Sequence, residues 1–152
     1  MNNDLFNGSY PMKIGNEEFK ASRLTDKDYA DLDGYIKARY VADAQKAALL
    51  LGPEGREIVK LAMAEVHNSE TEVAWGTEIG GNILSSQDGV LHLGYQMILR
   101  RHPNVSFKQF EKEAHKDLIG SVRAIDDAFG HFYPSRDEED VGGSSTENKK
   151  SA

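Results

Sequence analysis

Cysteine is absent from the 152 residues. That excludes disulfides, thiolate metal ligands and a thiol nucleophile, and it fits a reducing compartment. Basic residues are in deficit: 18 lysines and arginines face 25 aspartates and glutamates, for a net charge of −7. A nucleic-acid binder needs a clustered basic face to release phosphate counterions. The longest basic cluster, Arg100-Arg101-His102, is too small to anchor a duplex. The same charge balance disfavours an anionic membrane surface. Long apolar runs are missing too, and none approaches the roughly 20 residues of a membrane span. Met1-Asn2-Asn3-Asp4 has neither the basic nor the apolar region of a secretory signal. The expectation is a cytosolic protein with no nucleic-acid and no membrane partner.

What is present reads as one mainly α domain. A chain of this length buries about 70% of the surface its unfolded form exposes and needs no covalent staple. Residues 1–9 are polar and are expected to be flexible. A β-hairpin follows over residues 10–22. Tyr10, Met12 and Ile14 alternate, Gly15-Asn16 supplies residues that tolerate positive φ, and Phe19 and Ala21 alternate on the return. A two-residue loop there pairs Met12 with Phe19. A lone hairpin is marginal in water, so its apolar face must pack on the helices.

Thr25 with Asp28 makes a capping-box pattern that opens a long helix with Tyr29, Leu32, Ile36, Tyr40, Ala44, Ala47 and Leu51 at three- and four-residue steps. Gly34 weakens its middle by about 1 kcal/mol against alanine, and Gly52-Pro53 ends it. A second helix from about Glu54 to Val66 has Ile58, Leu61, Ala62 and Val66 as its stripe. Residues 67–86 are the least readable, because Gly76, Gly80 and Gly81 argue against a well-formed helix. Ser85 or Ser86 caps a third helix running to Arg101, with Val90, Leu91, Tyr95, Ile98 and Leu99 inward. The next start has a Ser106–Gln109 capping box and a Val105–Phe110 staple. Its helix uses Phe107, Phe110, Ala114 and Leu118. Gly120 bends it or divides it from a last segment with Val122, Ile125, Phe129 and Phe132.

The architecture expected is a small helical domain of four to five helices with an N-terminal hairpin, spanning residues 10–134. Residues 135–152 form an acidic and polar tail too poor in apolar residues to repay ordering, and are expected to be disordered. From Arg136 onward five acids face three bases, a charge of −2, which leaves about −5 on the folded body.

A search for chemistry yields little. His67, His92, His102, His115 and His131 are scattered, with no two at metal-ligand spacing on one helix. The HExxH, EF-hand, Walker A, Rossmann and GxSxG patterns are absent. Ser85-Ser86-Gln87-Asp88 is explained by capping, Gly80-Gly81-Asn82 by a flexible linker, and the acid pairs by solvated helix faces. No catalytic residue, cofactor or metal is therefore expected. Trp75 stands out in a polar, glycine-flanked stretch, and two readings are open: a core plug beneath a loop, or an aromatic anchor for a partner. Tyr35 and Tyr40 divide in the same way, because the first helix carries apolar residues (Tyr29, Leu32, Tyr35, Ile36, Tyr40, Val41) over more of its circumference than one domain would cover. Tyr35, Tyr40 and Trp75 are thus the candidate protein-binding residues.

Several segments together resemble a family. The hairpin leads into a helix through Ser22-Arg23-Leu24-Thr25 and Asp28-Tyr29. An alanine-rich stretch, Ala38-Arg39-Tyr40-Val41-Ala42-Asp43-Ala44, follows, and later Leu99-Arg100-Arg101-His102-Pro103 precedes Val105-Ser106-Phe107 and Phe110-Glu111. Over roughly residues 10–134 this order resembles the tail assembly chaperones of long-tailed bacteriophages. The resemblance implies a non-enzymatic factor of the host cytoplasm, absent from the mature virion, that binds and solubilises the tape-measure protein and helps recruit tail-tube protein. Self-association is left open. Such proteins often have a frameshifted longer form, with which an A-rich tract encoding Lys149-Lys150 would be consistent. The competing readings are a structural virion component, such as a head–tail connector or neck protein, and an acidic regulator or inhibitor.

Overall fold

A computed structural model of the chain describes residues 8–134. The tail expected at 135–152 lies outside the described residues, as does most of the expected flexible N-terminus. Ser9, however, already belongs to a strand: it is buried and pairs with Ser22.

The turn at Gly15-Asn16 sets the register of strands β1 (Ser9–Ile14) and β2 (Glu17–Ser22). Gly15 has φ +60°, and the pairing places Met12 opposite Phe19 as the alternation requires. Met12, Ile14, Phe19 and Ala21 are buried on one face. Gly15 is needed twice over, since a Cβ there would collide with the Glu113 carbonyl. Its N–H donates to the buried Ser121 Oγ at 2.9 Å, and that hydroxyl donates to the Ala114 carbonyl at 3.3 Å.

Helix α1 (Asp26–Leu51) opens with the reciprocal Thr25–Asp28 box, the Asp28 N–H donating to Thr25 Oγ1 at 3.3 Å and the Thr25 N–H to Asp28 Oδ2 at 2.8 Å. Its 26 residues extend about 39 Å at 1.5 Å per residue. Only Leu32 and Ile36 are fully buried, so the second half runs beyond the core. A 3-10 turn over Gly52–Glu54, with Gly52 at φ +65°, sends the chain back along α1 as α2 (Gly55–His67). Gly55 lets the two helices touch, because a Cβ there would run into the Ala48 carbonyl. Leu61, expected in the inward stripe of α2, is instead 64% exposed. The side of α2 that faces α1 is taken by Gly55 and Ala62, and Leu61 projects past it.

The unreadable stretch contains a further helix, α3 (Glu78–Leu84). Gly80 and Gly81, expected to form a flexible linker, lie inside it. Gly76 makes the turn before it at φ +85°. The Thr77 hydroxyl donates to the Ala74 carbonyl at 2.8 Å and accepts from the Gly80 N–H at 3.1 Å. A side chain at Gly80 would strike that same carbonyl. The glycine is therefore a close-packing requirement, not a sign of looseness.

Helix α4 (Gln87–Ile98), capped by Ser86, is the centre of the molecule. Val90, Leu91, Leu93, Met97 and Ile98 are all buried, and Gly94 lies against the Ile125 side chain. The sequence marks only one inward stripe; a helix buried on most sides carries no clean periodicity. It also stops at Ile98, before Arg101. Residues 100–102 reach the hairpin and the residue that follows it: Arg100 Nη2 donates to the Arg23 carbonyl at 2.9 Å, Arg101 Nε to Ser22 Oγ at 2.8 Å, and His102 Nε2 accepts from the Lys20 N–H at 2.9 Å. The basic cluster is thus a clasp on the hairpin.

Helix α5 (Phe107–Ala114) begins with the Ser106–Gln109 box and fully buries Phe110. A 3-10 turn over His115–Asp117 separates it from α6 (Leu118–Phe132), where Asp117 Oδ1 accepts from the Gly120 N–H at 3.1 Å. The division falls just before Gly120. After α6, Tyr133 Oη accepts from the Leu24 N–H at 3.1 Å and bonds Tyr29 Oη at 2.8 Å, tying the end of the domain to the start of α1. The mainly α class with an N-terminal hairpin therefore stands, with five helical segments legible in sequence and α3 added. Among the described residues no helix is long and apolar enough to cross a membrane.

Candidate protein-binding surface

The three candidate residues have three different environments. The Trp75 backbone N–H donates to Asp33 Oδ1 at 2.9 Å, and the indole ring lies 5.0 Å from Tyr29 and 6.5 Å, edge-on, from Phe129. Burial pulls the Asp33 carboxyl up, but the Lys37 ammonium at 2.6 Å and the Trp75 N–H outweigh it and hold the group below its ordinary range. Half-buried, Trp75 fastens the loop before α3 onto α1 and α6 and lines a hollow of about 490 Å³ with Val122, Asp126 and Phe129. It plugs that loop while leaving part of the ring accessible.

Tyr35 points into α4. Its hydroxyl donates to Asp88 Oδ2 at 2.5 Å, and Arg39 Nη1 donates to the same carboxylate at 3.0 Å and to Tyr35 Oη at 3.2 Å. Burial and the adjacent Asp88 charge push the Tyr35 phenol well above the usual tyrosine range. The His92 ring is 4.0 Å from Tyr35 on one side and stacks on Phe107 at 4.0 Å on the other. Burial lowers the His92 pKa against the pull of Asp88 and Glu111, so the ring is held towards its neutral form. With its hydroxyl and ring face both engaged, Tyr35 braces α1 against α4.

Of the three, Tyr40 alone lines a wide groove of about 990 Å³ walled by α1, α2 and α3. Its floor is apolar, formed by Tyr40, Ile58, Leu61, Val73, Ile79 and Ile83. Its rim is acidic: Asp43, Glu65 and Glu72 against Arg39. The Arg39 guanidinium is occupied by Asp88 and by Asp43 Oδ1 at 3.1 Å. Glu65 Oε1 accepts from the Thr71 hydroxyl at 3.0 Å and the Glu72 N–H at 3.4 Å, which holds the rim together. No ion pair among the described residues engages Glu65 or Glu72.

The end of α1 also exposes Leu49 (85%), Leu50 (88%) and Leu51, and α2 exposes Leu61 and Met63 along its length. Burying a leucine is worth about 1.5–3 kcal/mol, so these side chains leave substantial apolar surface in water. One signal for it was in the sequence. Three consecutive leucines before Gly52-Pro53 span about 200° of helix at 3.6 residues per turn, and so cannot all face one core. The groove itself had no signal, since its floor comes from three helices and the loop at Val73.

His102 and His92 serve as packing and hydrogen-bonding groups, and His131 stacks on Tyr10 at 4.4 Å. Among the described residues no three His, Asp or Glu side chains are grouped to hold a metal ion. No family model, no curated protein and no solved structure matches the chain.

Proposed function

We propose that this chain is a non-enzymatic tail assembly chaperone of a long-tailed bacteriophage. It acts in the host cytoplasm, binds the tape-measure protein and keeps it soluble during tail morphogenesis, with tail-tube protein as a second partner. The observation that carries this reading is the uncovered apolar surface of the α1–α2 arm, which has a groove of about 990 Å³ and, separately, exposed leucines at its tip. Helical clients with an apolar face are received on such surfaces. A net charge of −7 keeps a protein bearing that surface in solution. The resemblance in the order of hairpin, helices and the Arg100-Arg101-His102-Pro103 step supports the same reading. Co-expression with the tape-measure protein of the same genome tests it. The tape-measure protein should move from the pellet to the supernatant when this chain is present, and equal solubility without it would overturn the proposal.

A further inference from the structure

We infer that the groove between α1, α2 and α3 seats one amphipathic helix of the client. That helix presents apolar residues at i, i+3 or i+4, and i+7 to the floor, and lysines or arginines along its edge to Asp43, Glu65 and Glu72. The inference rests on the chaperone reading and deepens it, naming the site and the chemistry of the segment it takes.

Three observations select a helix of this character. First, the walls are helices, whose backbone groups are already paired, so a client strand would find no free edge to extend; among the described residues the only sheet is the β1–β2 hairpin, whose residues do not line the groove. A third helix, by contrast, packs naturally into the furrow between two adjacent ones. Second, the floor offers no buried polar anchor. The buried side-chain atoms without a partner among the described residues are Gln96 Oε1 and Glu113 Oε1, and neither residue lines the groove. A small polar ligand would meet no unpartnered buried group among the described residues to anchor it, whereas an apolar floor with a charged rim is the anatomy of a protein interface. Third, the rim is uncompensated. Three carboxylates face one guanidinium, and that guanidinium is shared between Asp43 and Asp88. An acidic client edge would meet like charge, and a basic edge meets Glu65 and Glu72, which have no ion-pair partner among the described residues.

The probe is a fluorescently labelled, stapled helical peptide with leucines at i, i+3, i+4 and i+7 and lysines on both flanks, set against its twin with glutamates in place of the lysines. Binding to the full chain is read by fluorescence anisotropy. The lysine peptide should bind at least about ten-fold more tightly at low salt, and the gap should shrink as salt screens the rim. Leu61→Glu, at a position already exposed, should abolish binding while leaving the circular dichroism spectrum unchanged. E65Q/E72Q should narrow the preference between the two peptides. Ile119→Glu, on another exposed surface, should change nothing. Failure of the lysine peptide to bind, equal binding of both peptides, or unaltered binding to the Leu61→Glu chain would each overturn the inference. A wild-type chain that solubilises the tape-measure protein alongside a Leu61→Glu chain that does so equally well would sink the groove while sparing the function. A wild-type chain that fails to solubilise it would sink the function.

Discussion

The hairpin-centred body and the α1–α2 arm use the same residue types to opposite ends. In the body, Met12, Ile14, Leu91, Met97, Ile98, Phe110 and Ile125 are each 1% exposed or less. They are locked by polar contacts that cross between elements, among them Gly15 to Ser121, Arg101 to Ser22 and Tyr133 to Leu24. In the arm, Leu49 and Leu50 are 85% and 88% exposed, and α2 rests on α1 through small residues. Apolar content alone does not separate the two. What separates them is whether a second layer lies opposite. The body has hairpin, α4, α5 and α6 facing one another, while α2 packs chiefly on α1. A leucine without a facing layer does not stabilise this fold, so it is free to serve a partner.

The contrast can be broken by substitution. Phe110→Ala should cost about 3–5 kcal/mol in urea unfolding, the usual loss for a fully buried aromatic; a loss below 1 kcal/mol would mean that the body is not the stabilising half. Gly34→Ala should raise stability by about 0.5–1 kcal/mol. Gly34 lies within α1, has no positive φ and has open space where a Cβ would go.

A smaller, pH-dependent effect is expected at His92. Burial sets its pKa in the fold below the ordinary 6.5, so between those two values the unfolded chain binds more protons than the folded one. The stabilisation from neutral His92 is full above pH 6.5 and is lost as pH falls towards the folded value. His102 acts in the same direction, its pKa lowered by burial and by the nearby Lys20 and Arg101 charges. His92→Phe should flatten the fall in thermal midpoint between pH 7 and pH 5, and an unchanged slope would assign that fall to other groups. The smallest effect belongs to the arm: Leu50→Gln should leave stability within about 0.5 kcal/mol. A loss beyond 1 kcal/mol would show that the tip packs on something within the chain.

Local chemistry was legible in the sequence and spatial coincidence was not. The Gly15-Asn16 turn with its Met12–Phe19 register, the Thr25–Asp28 and Ser106–Gln109 boxes, and the Gly52-Pro53 stop depend on residues a few positions apart, and each appears where the pattern puts it. Helix α3 escaped notice because Gly80 reads as a helix breaker until the Ala74 carbonyl beside it is seen. Burial of α4 on most sides hid Leu93 and Met97 from a one-stripe reading. Of the candidate contact residues, Tyr40 lines the groove, Trp75 lines a separate hollow, and Tyr35 is bound to Asp88 and stacked on His92. Nothing in their sequence spacing distinguishes those three outcomes, since each was set by a residue far off in the chain (Asp33, 42 positions from Trp75; Asp88, 53 positions from Tyr35) or by a wall from another helix.

Under the proposed function the arm is the working surface and the body is its support. The direct measurement is the soluble fraction of the tape-measure protein when it is co-expressed with a Leu50→Glu/Leu61→Glu double variant, alongside the variant's thermal midpoint. The expected result is an unchanged midpoint and a tape-measure protein as insoluble as when expressed alone. A folded double variant that keeps the tape-measure protein as soluble as the wild-type chain does would contradict it.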